Sequence, residues 1–550
     1  MSAARRIIVD RLQTWVPFVG CAGFMAWVLT SADRVPTGDA PHLLAISERL
    51  TSMVREGQIL EFFEAWSGLV TPHPPAGFLI PVVWQTLRFG NAVPWLTALT
   101  GMALIWHGMG LLFRGEGRSP VGPWLGGLML FSMSATWSFV AHMAWDVLAA
   151  GCVCACVAHL HASDGLRNKG HALVFGVFMG IGFVTKYTFP AFLVLPVVFA
   201  GVAVIRFRSF SGLSVAMMAF AVTAGPWLWT HGDSMWAYVV SSASASHSIS
   251  DSPASSWSMR LSPGNLLFYP TVLRDMVGWP GVLLLAVAMV RAWHKPAGRW
   301  ALWSVLGGGL VLVFAGETQA RYLYPALPLL AVCLDVGIRP GFGSSMARFG
   351  LVCGLCVTLP ALWGTTVVTI SDVLAPPTRD QTHAVETLSA WGEWPQSAVA
   401  FRPVSNPRDE WRIDAALAAI AEEVGPGSQQ IGMILPRDIR MASDSTYAWR
   451  AAQLGLAWDV ASIITGGPMG RPMVFVGPLK PQGLHISRRF KVAYAVHQKG
   501  VPPKLLTDMN GIVRWQQDLP VGMQGSVFRI PDASWEMPTG LMLQQDPIDG

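Results

Sequence analysis

The residues best suited to chemistry stand at the ends of apolar runs. Asp39 lies in Thr37-Gly-Asp-Ala-Pro-His42, and His73-Pro-Pro75 leads into the next apolar stretch. Lys186 lies in Gly182-Phe-Val-Thr-Lys-Tyr-Thr188, between two strongly apolar segments, and Asp146 follows an aromatic stretch from Trp137 to Trp145. Glu317 and Arg321 are four residues apart in Glu317-Thr-Gln-Ala-Arg-Tyr-Leu-Tyr-Pro-Ala-Leu-Pro328. A carboxylate beside a hydroxyl nucleophile can take its proton. Lysine and arginine can hold an anion, and the planar arginine fork matches two oxygens of a phosphate. Each residue also has a plainer role. Asp39 can cap the helix that Pro41 starts, and Lys186 can snorkel to an interface. Glu317 and Arg321 can pair at i,i+4, and Asp146 can neutralise Lys186.

The elements that carry these residues belong in a bilayer. The chain has 550 residues, 52% of them hydrophobic and 13% charged, with a mean hydropathy of +0.43. Charge that sparse does not cover a soluble protein of this size. Apolar runs near 14–30, 94–113, 122–140, 143–160, 171–185, 188–204, 211–230, 276–291, 299–315, 322–338 and 347–370 approach or reach the length that crosses a membrane. They predict a polytopic α-helical membrane protein of about 11 spans, give or take two, at roughly 20 residues each. Ala76 to Gly90 is too short to span and reads as an interfacial or re-entrant helix. The net charge of +5 is modest and does not point to nucleic acid.

Basic residues set the topology. Arg5, Arg6 and Arg11 precede the first run, which places the N-terminus in the cytoplasm. That run reads as a retained span, since it is long and lacks a small-residue cleavage site. Arg114 to Arg118, Arg167 with Lys169, Arg206 with Arg208, Arg291 to Arg299, and Arg339 with Arg348 all fall on the same side. Asp39, Asp146, Lys186, the Ser/Ala-rich loop around 231–265, and Glu317 to Arg321 then face outward. Arg260 and Arg274 flank that Ser/Ala-rich loop. Within the first outer loop, 31–75, Pro41 to Val70 reads as one or two amphipathic helices. Such helices can lie on the membrane surface or cap the bundle.

Charge becomes dense after about residue 375, so the sequence divides into a membrane domain, 1–370, and a water-soluble α/β domain, 371–550. The second domain shows a helix at Ala415 to Val424, another at Tyr447 to Leu456, and strands at Ile431 to Leu435, Pro472 to Val476, Lys491 to Val496 and Gly525 to Ile530. It has no phosphate-binding glycine loop and no zinc-ligand spacing. All seven cysteines fall in apolar stretches, and Cys152-Val-Cys-Ala-Cys156 reads as helix packing instead of a metal site.

Gly38-Asp-Ala-Pro-His42, His73-Pro-Pro75, Val184-Thr-Lys-Tyr187 and Arg321-Tyr-Leu-Tyr-Pro-Ala-Leu-Pro328 occur in one order along residues 1–370. Together they resemble the GT-C superfamily of glycosyltransferases. The nearest types are the phospholipid-carrier-dependent enzymes related to protein O-mannosyltransferases and lipid A aminoarabinose transferases. The resemblance implies a polyprenyl-phosphate sugar donor, a glycan, lipid or protein acceptor, and a site at the periplasmic face of a bacterial inner membrane. It implies Asp39 as base, with Lys186 and Arg321 holding donor phosphate or acceptor. His42, His73, Asp146 and Glu317 are further candidates for binding substrate or phosphate. Relatives often carry Asp-Glu where this chain has Asp39-Ala40, which weakens metal binding in this loop. Asp39 and His42 could hold a divalent ion together with water and phosphate, but two ligands assign no metal. The alternative is a transporter or a non-catalytic scaffold displaying its outer domain. A transporter should carry polar, broken helices near the midplane in related halves, whereas the polar residues here gather at the outer ends.

Overall fold

The computed structural model describes residues 40–69, 74–89, 92–114, 124–132, 145–244, 263–314 and 320–338 of the membrane part, with a few isolated positions before and among them. In the C-terminal part it describes 412–425, 429–434, 450–451, 458–464, 473–476, 492–500, 511–518, 523–530, 542–543 and two single residues. In chain order the helices are α1 Ala40–Arg55, α2 Ile59–Ser67, α3 Ala76–Thr86, α4 Val93–Arg114, α5 Trp124–Ser132, α6 Trp145–Ala162, α7 Lys169–Phe183, α8 Val194–Phe207, α9 Phe210–Ser244, α10 Pro263–Trp293, α11 Pro296–Phe314, α12 Leu327–Ile338 and α13 Ile413–Val424. Two 3-10 helices, Phe189–Leu193 and Ala320–Ala326, precede α8 and α12.

A helix is the shape that satisfies every backbone group within one apolar segment, so these runs fold as helices in lipid. Among the described residues, five segments are long and apolar enough to cross a membrane: Val93–Arg114, Trp145–Ala162, Phe189–Phe207, Phe210–Ala237 and Pro296–Phe314. Four shorter apolar helices, Ala76–Thr86, Lys169–Phe183, Gly281–Trp293 and Ala326–Ile338, accompany them. The expected runs at 14–30 and 347–370 lie wholly or largely outside the described residues. With 11 residues and Pro81 inside it, α3 is about 16 Å long at roughly 1.5 Å per residue, half of a bilayer core.

Helix α6 is the centre of the bundle, buried from Trp145 to Leu160. It packs along α4 and α7 and touches both 3-10 helices. Glycine makes the α4 contact close. A Cβ on Gly101 would lie 2.8 Å from the Val147 carbonyl, and one on Gly108 would lie 2.7 Å from the Cys154 backbone. Lipid supplies no hydrophobic drive between helices, so close van der Waals packing of small residues does that work. Cys152, Cys154 and Cys156 are buried free thiols of this helix. The core is sealed at depth by an unusual cap: Gly126 of α5 donates its N–H to Asp335 Oδ2 of α12 at 2.9 Å. A carboxylate there satisfies a backbone N–H in the first turn of α5 and suits the positive end of its dipole.

The C-terminal strands are β1 Gln429–Ile434, β2 Trp458–Ile464, β3 Met473–Val476, β4 Val492–Gln498, β5 Ile512–Asp518, β6 Met523–Arg529 and β7 Met542–Leu543. They form one mixed sheet in the order β5-β6-β4-β1-β2-β3-β7, with β1 parallel to β2 and β4. Helix α13 covers it through Ile413, Ala416, Leu417 and Ile420, all buried, with Val492, Tyr494 and Val527 in the same apolar cluster. The expected strands at 431, 472, 491 and 525 are present with ends shifted by one or two residues. Strands β2, β5 and β7 were not expected. Of the helix expected from Tyr447, only residues 450–451 fall among the described helical residues.

Candidate functional site

The turn that carries Lys186 is built by the end of one helix and the start of another. Helix α7 stops at Phe183, and Thr185 turns its hydroxyl back to donate to the Ile181 carbonyl at 2.7 Å. Lys186 N–H still reaches the Gly182 carbonyl at 3.2 Å, and Phe189 begins the first 3-10 helix. Lys186 is thereby held in a break between two apolar elements. Its Nζ bonds Asp146 Oδ1, and the two side chains are only 9% and 3% exposed.

Asp146 is the second residue of α6, where the positive end of the helix dipole favours a carboxylate. Lys186 Nζ also lies 5.6 Å from the centroid of the Tyr322 ring. That is a cation–π distance, with the ammonium over the ring. Tyr322 belongs to the second 3-10 helix, the segment that carries Arg321. Two positions on, Tyr324 is fully buried and donates its hydroxyl to Thr136 Oγ1 at 3.4 Å, beside Met102 Sδ at 3.6 Å. The second 3-10 helix is thus keyed into the bundle core by one tyrosine while the other faces the ion pair.

The stretch after His73 joins the same place. Ala76 N–H donates to the Val184 carbonyl at 2.8 Å, two residues before Lys186. Trp66 Nε1–H donates to the Pro75 carbonyl at 2.8 Å. Gly77 lies under the Trp145 ring so closely that a Cβ would be 2.1 Å from its Cζ3. Helices α3, α6 and α7 therefore meet at one corner. Within it, Thr188 Oγ1 and Trp227 Nε1–H are buried without a hydrogen-bond partner among the described residues. Buried polar atoms are normally satisfied, so these two positions leave a donor and a hydroxyl for water or a ligand.

Of the residues read from the sequence, the structure brings Asp146 and Lys186 into contact. Asp39, His73, Glu317 and Arg260 lie outside the described residues. The backbones of His42 and Arg321 are placed, in α1 and in the second 3-10 helix, and their side chains lie outside the description. Arg274 is half-buried on α10. No group of three or more His, Cys, Asp or Glu among the described residues is placed to hold a metal ion. Tyr322 and Tyr324 were missed, although both stand in a quoted motif, two residues apart around a leucine.

A row of imidazoles at the basic end of the bundle was also missed. His107 Nε2 and His159 Nε2 are 3.2 Å apart, and His159 Nδ1 and His171 Nδ1 are 3.0 Å apart. These hydrogen bonds tie α4, α6 and α7 together.

No protein-family model and no curated protein matches the chain. Solved structures do. ArnT from Cupriavidus metallidurans in the apo state is 14% identical, with a TM-score of 0.56 over 95% of this chain and 99% of that one. The same protein bound to undecaprenyl phosphate is 13% identical, with a TM-score of 0.57 over 98% and 100%. Identity this low speaks for architecture alone: from its N-terminal helices to its C-terminal sheet, the chain has the fold of ArnT.

Proposed function

We propose that the chain is an integral-membrane glycosyltransferase that moves a sugar from a polyprenyl-phosphate carrier to an acceptor hydroxyl at the periplasmic face. The observation that carries this reading is the fold, shared along nearly the whole chain with an ArnT bound to undecaprenyl phosphate. ArnT is a lipid A aminoarabinose transferase of the GT-C type. The buried Lys186–Asp146 pair, against the segment that carries Arg321, supports it locally.

In this reading Asp39 is the base. It takes the acceptor proton as the acceptor oxygen bonds to the anomeric carbon and the bond from that carbon to the carrier phosphate breaks. The lipid phosphate leaves as a stable anion, so it needs positive charge more than a proton, and Lys186 and Arg321 supply it. One displacement inverts the anomeric centre, as in glycoside chemistry without a covalent intermediate. Asp146 pairs with the lysine and aims it. His42, His73 and Glu317 complete the binding set, in a membrane domain of 1–370 whose partner domain, 371–550, stands in the periplasm of a bacterial inner membrane.

The test is ligand binding. Purified protein is titrated with undecaprenyl phosphate and followed by thermal shift and native mass spectrometry. Saturable binding that Lys186→Met weakens at least about tenfold is expected, since a charge-assisted hydrogen bond contributes roughly 1.5–3 kcal/mol. Equal binding by the variant would remove Lys186 from the phosphate site.

A further inference from the structure

Two turns close the end of the bundle opposite Lys186, and both lie wholly within the described residues. One joins α6 to α7 and the other joins α8 to α9. In the first, Asp164, Gly165 and Leu166 take left-handed backbone in succession, with φ of 51°, 68° and 62°. In the second, Arg208 is left-handed at the end of α8. The turns are interlocked. Ser209 donates its hydroxyl to the Gly165 carbonyl at 2.5 Å, and a Cβ on Gly165 would lie 3.1 Å from the Phe207 ring.

The interlock gathers charge of one sign. Arg167, Lys169, Arg206 and Arg208 are all exposed here, against one carboxylate, Asp164. Arg167 is ion-paired with that carboxylate. Among the described residues, no side-chain hydrogen bond or ion pair engages Lys169, Arg206 or Arg208. Arg167 and Arg206 both set their guanidinium against the Phe207 ring, at 4.7 and 5.6 Å from its centroid. A guanidinium over a ring keeps its in-plane N–H fork, and the fork of Arg206 is free to take two oxygens of a phosphate.

Next to these charges the surface turns apolar. Val198, Val202 and Ile205, spaced four and three apart, make a stripe on α8, and Phe210, Leu213 and Met217 make another on α9. All six are exposed, Ile205 most at 72%. Helix α8 packs along α11 and α9 along α7, while α8 and α9 barely touch each other. Two apolar stripes that diverge from a basic corner leave room for acyl chains beside a headgroup. Basic pockets between helices at a membrane face hold anionic headgroups in this way.

We infer that the joined turns hold the headgroup of an anionic phospholipid, with its phosphodiester on Arg206, Arg208 and Lys169 and its acyl chains along the stripes of α8 and α9. Helix α7, about 22 Å long at roughly 1.5 Å per residue, separates this site from Lys186. It is therefore a second lipid site, independent of sugar transfer.

The experiment is native mass spectrometry of the full chain in detergent, titrated with phosphatidylglycerol or phosphatidylcholine of the same acyl chains. The first phosphatidylglycerol is expected to bind at least about tenfold more tightly, since each basic residue near an anionic headgroup contributes about fivefold. Arg206→Gln with Arg208→Gln should cut that preference by about tenfold or more at an unchanged melting temperature, and Lys169→Gln alone by about fivefold. Lys186→Met should leave the preference intact. Equal binding of the two lipids by the parent would overturn the proposal. A preference that survives the arginine substitutions, or one that Lys186→Met abolishes, would also overturn it, because the headgroup would then sit elsewhere. Glycerol phosphate that competes as well as the lipid would overturn it too, in favour of a soluble phosphate ligand.

Discussion

Asp146→Asn removes a negative charge from beside a lysine that is 9% exposed, and leaves an ammonium among the apolar ends of α6 and α7. Breaking a buried pair from one side costs about 3–5 kcal/mol, because the remaining charge is desolvated without compensation. At roughly 1.4 kcal/mol per factor of ten, the folded population relative to the unfolded one falls by a factor of about 100 to 4,000. Lys186→Met should cost less, by up to about 2 kcal/mol, because the N-terminus of α6 still faces the orphaned carboxylate. The double variant, Asp146→Asn with Lys186→Met, buries no charge and should return to within about 1 kcal/mol of the parent, as isosteric replacement of buried pairs often does. The assay is a double-mutant cycle from reversible detergent unfolding, with sugar transfer measured on the same four proteins. Recovered stability without recovered transfer is the expected outcome. Two single variants that each cost under about 1 kcal/mol would refute the reasoning, since a pair that weak is solvated like a surface ion pair.

Other consequences concern residues away from this pair. Asp335→Ala strips Gly126 N–H of its acceptor in a buried site and should lower stability by about 1–3 kcal/mol in the same unfolding assay. His159→Phe keeps a ring but ends both imidazole contacts, and should loosen α4, α6 and α7 together, seen as faster hydrogen exchange in all three. Burial raises the pKa of Glu48 on α1, against the opposing pull of Arg55. An acid whose folded pKa is raised penalises folding when ionised, so that penalty is present at neutral pH and is lifted as pH falls through the raised value. Glu48→Gln should therefore change stability most at neutral pH and progressively less toward acid, as measured by melting at a series of pH values.

The membrane helices were readable because an apolar run long enough to cross lipid has few other fates, and most expected runs coincide with helices. Their number was not, since shorter apolar helices such as α3, α7 and α12 carry the same composition as spans. In the C-terminal part, β4 and β6 were legible as buried apolar strands. Strand β5, Ile-Val-Arg-Trp-Gln-Gln-Asp, is an edge with most of its residues at least partly exposed, so it has no alternation to read. The Lys186–Asp146 contact could be guessed because a lysine between apolar helices demands a partner. The three histidines could not, because their contacts join positions 52 and 12 residues apart on three different helices. Tyr322 and Tyr324 were passed over because aromatic residues at a membrane boundary have an ordinary explanation as anchors.

The most direct test of the account is sugar transfer by the purified, reconstituted protein from labelled polyprenyl-phosphate sugars to cell-envelope acceptors, comparing the parent with Asp39→Asn. Transfer by the parent is expected, with a loss on the order of 100- to 10,000-fold in the variant while its melting temperature is unchanged, as removal of a general base requires. Equal transfer by both proteins would take Asp39 out of the mechanism. No transfer by the parent from any donor that it binds would contradict the assignment as a glycosyltransferase.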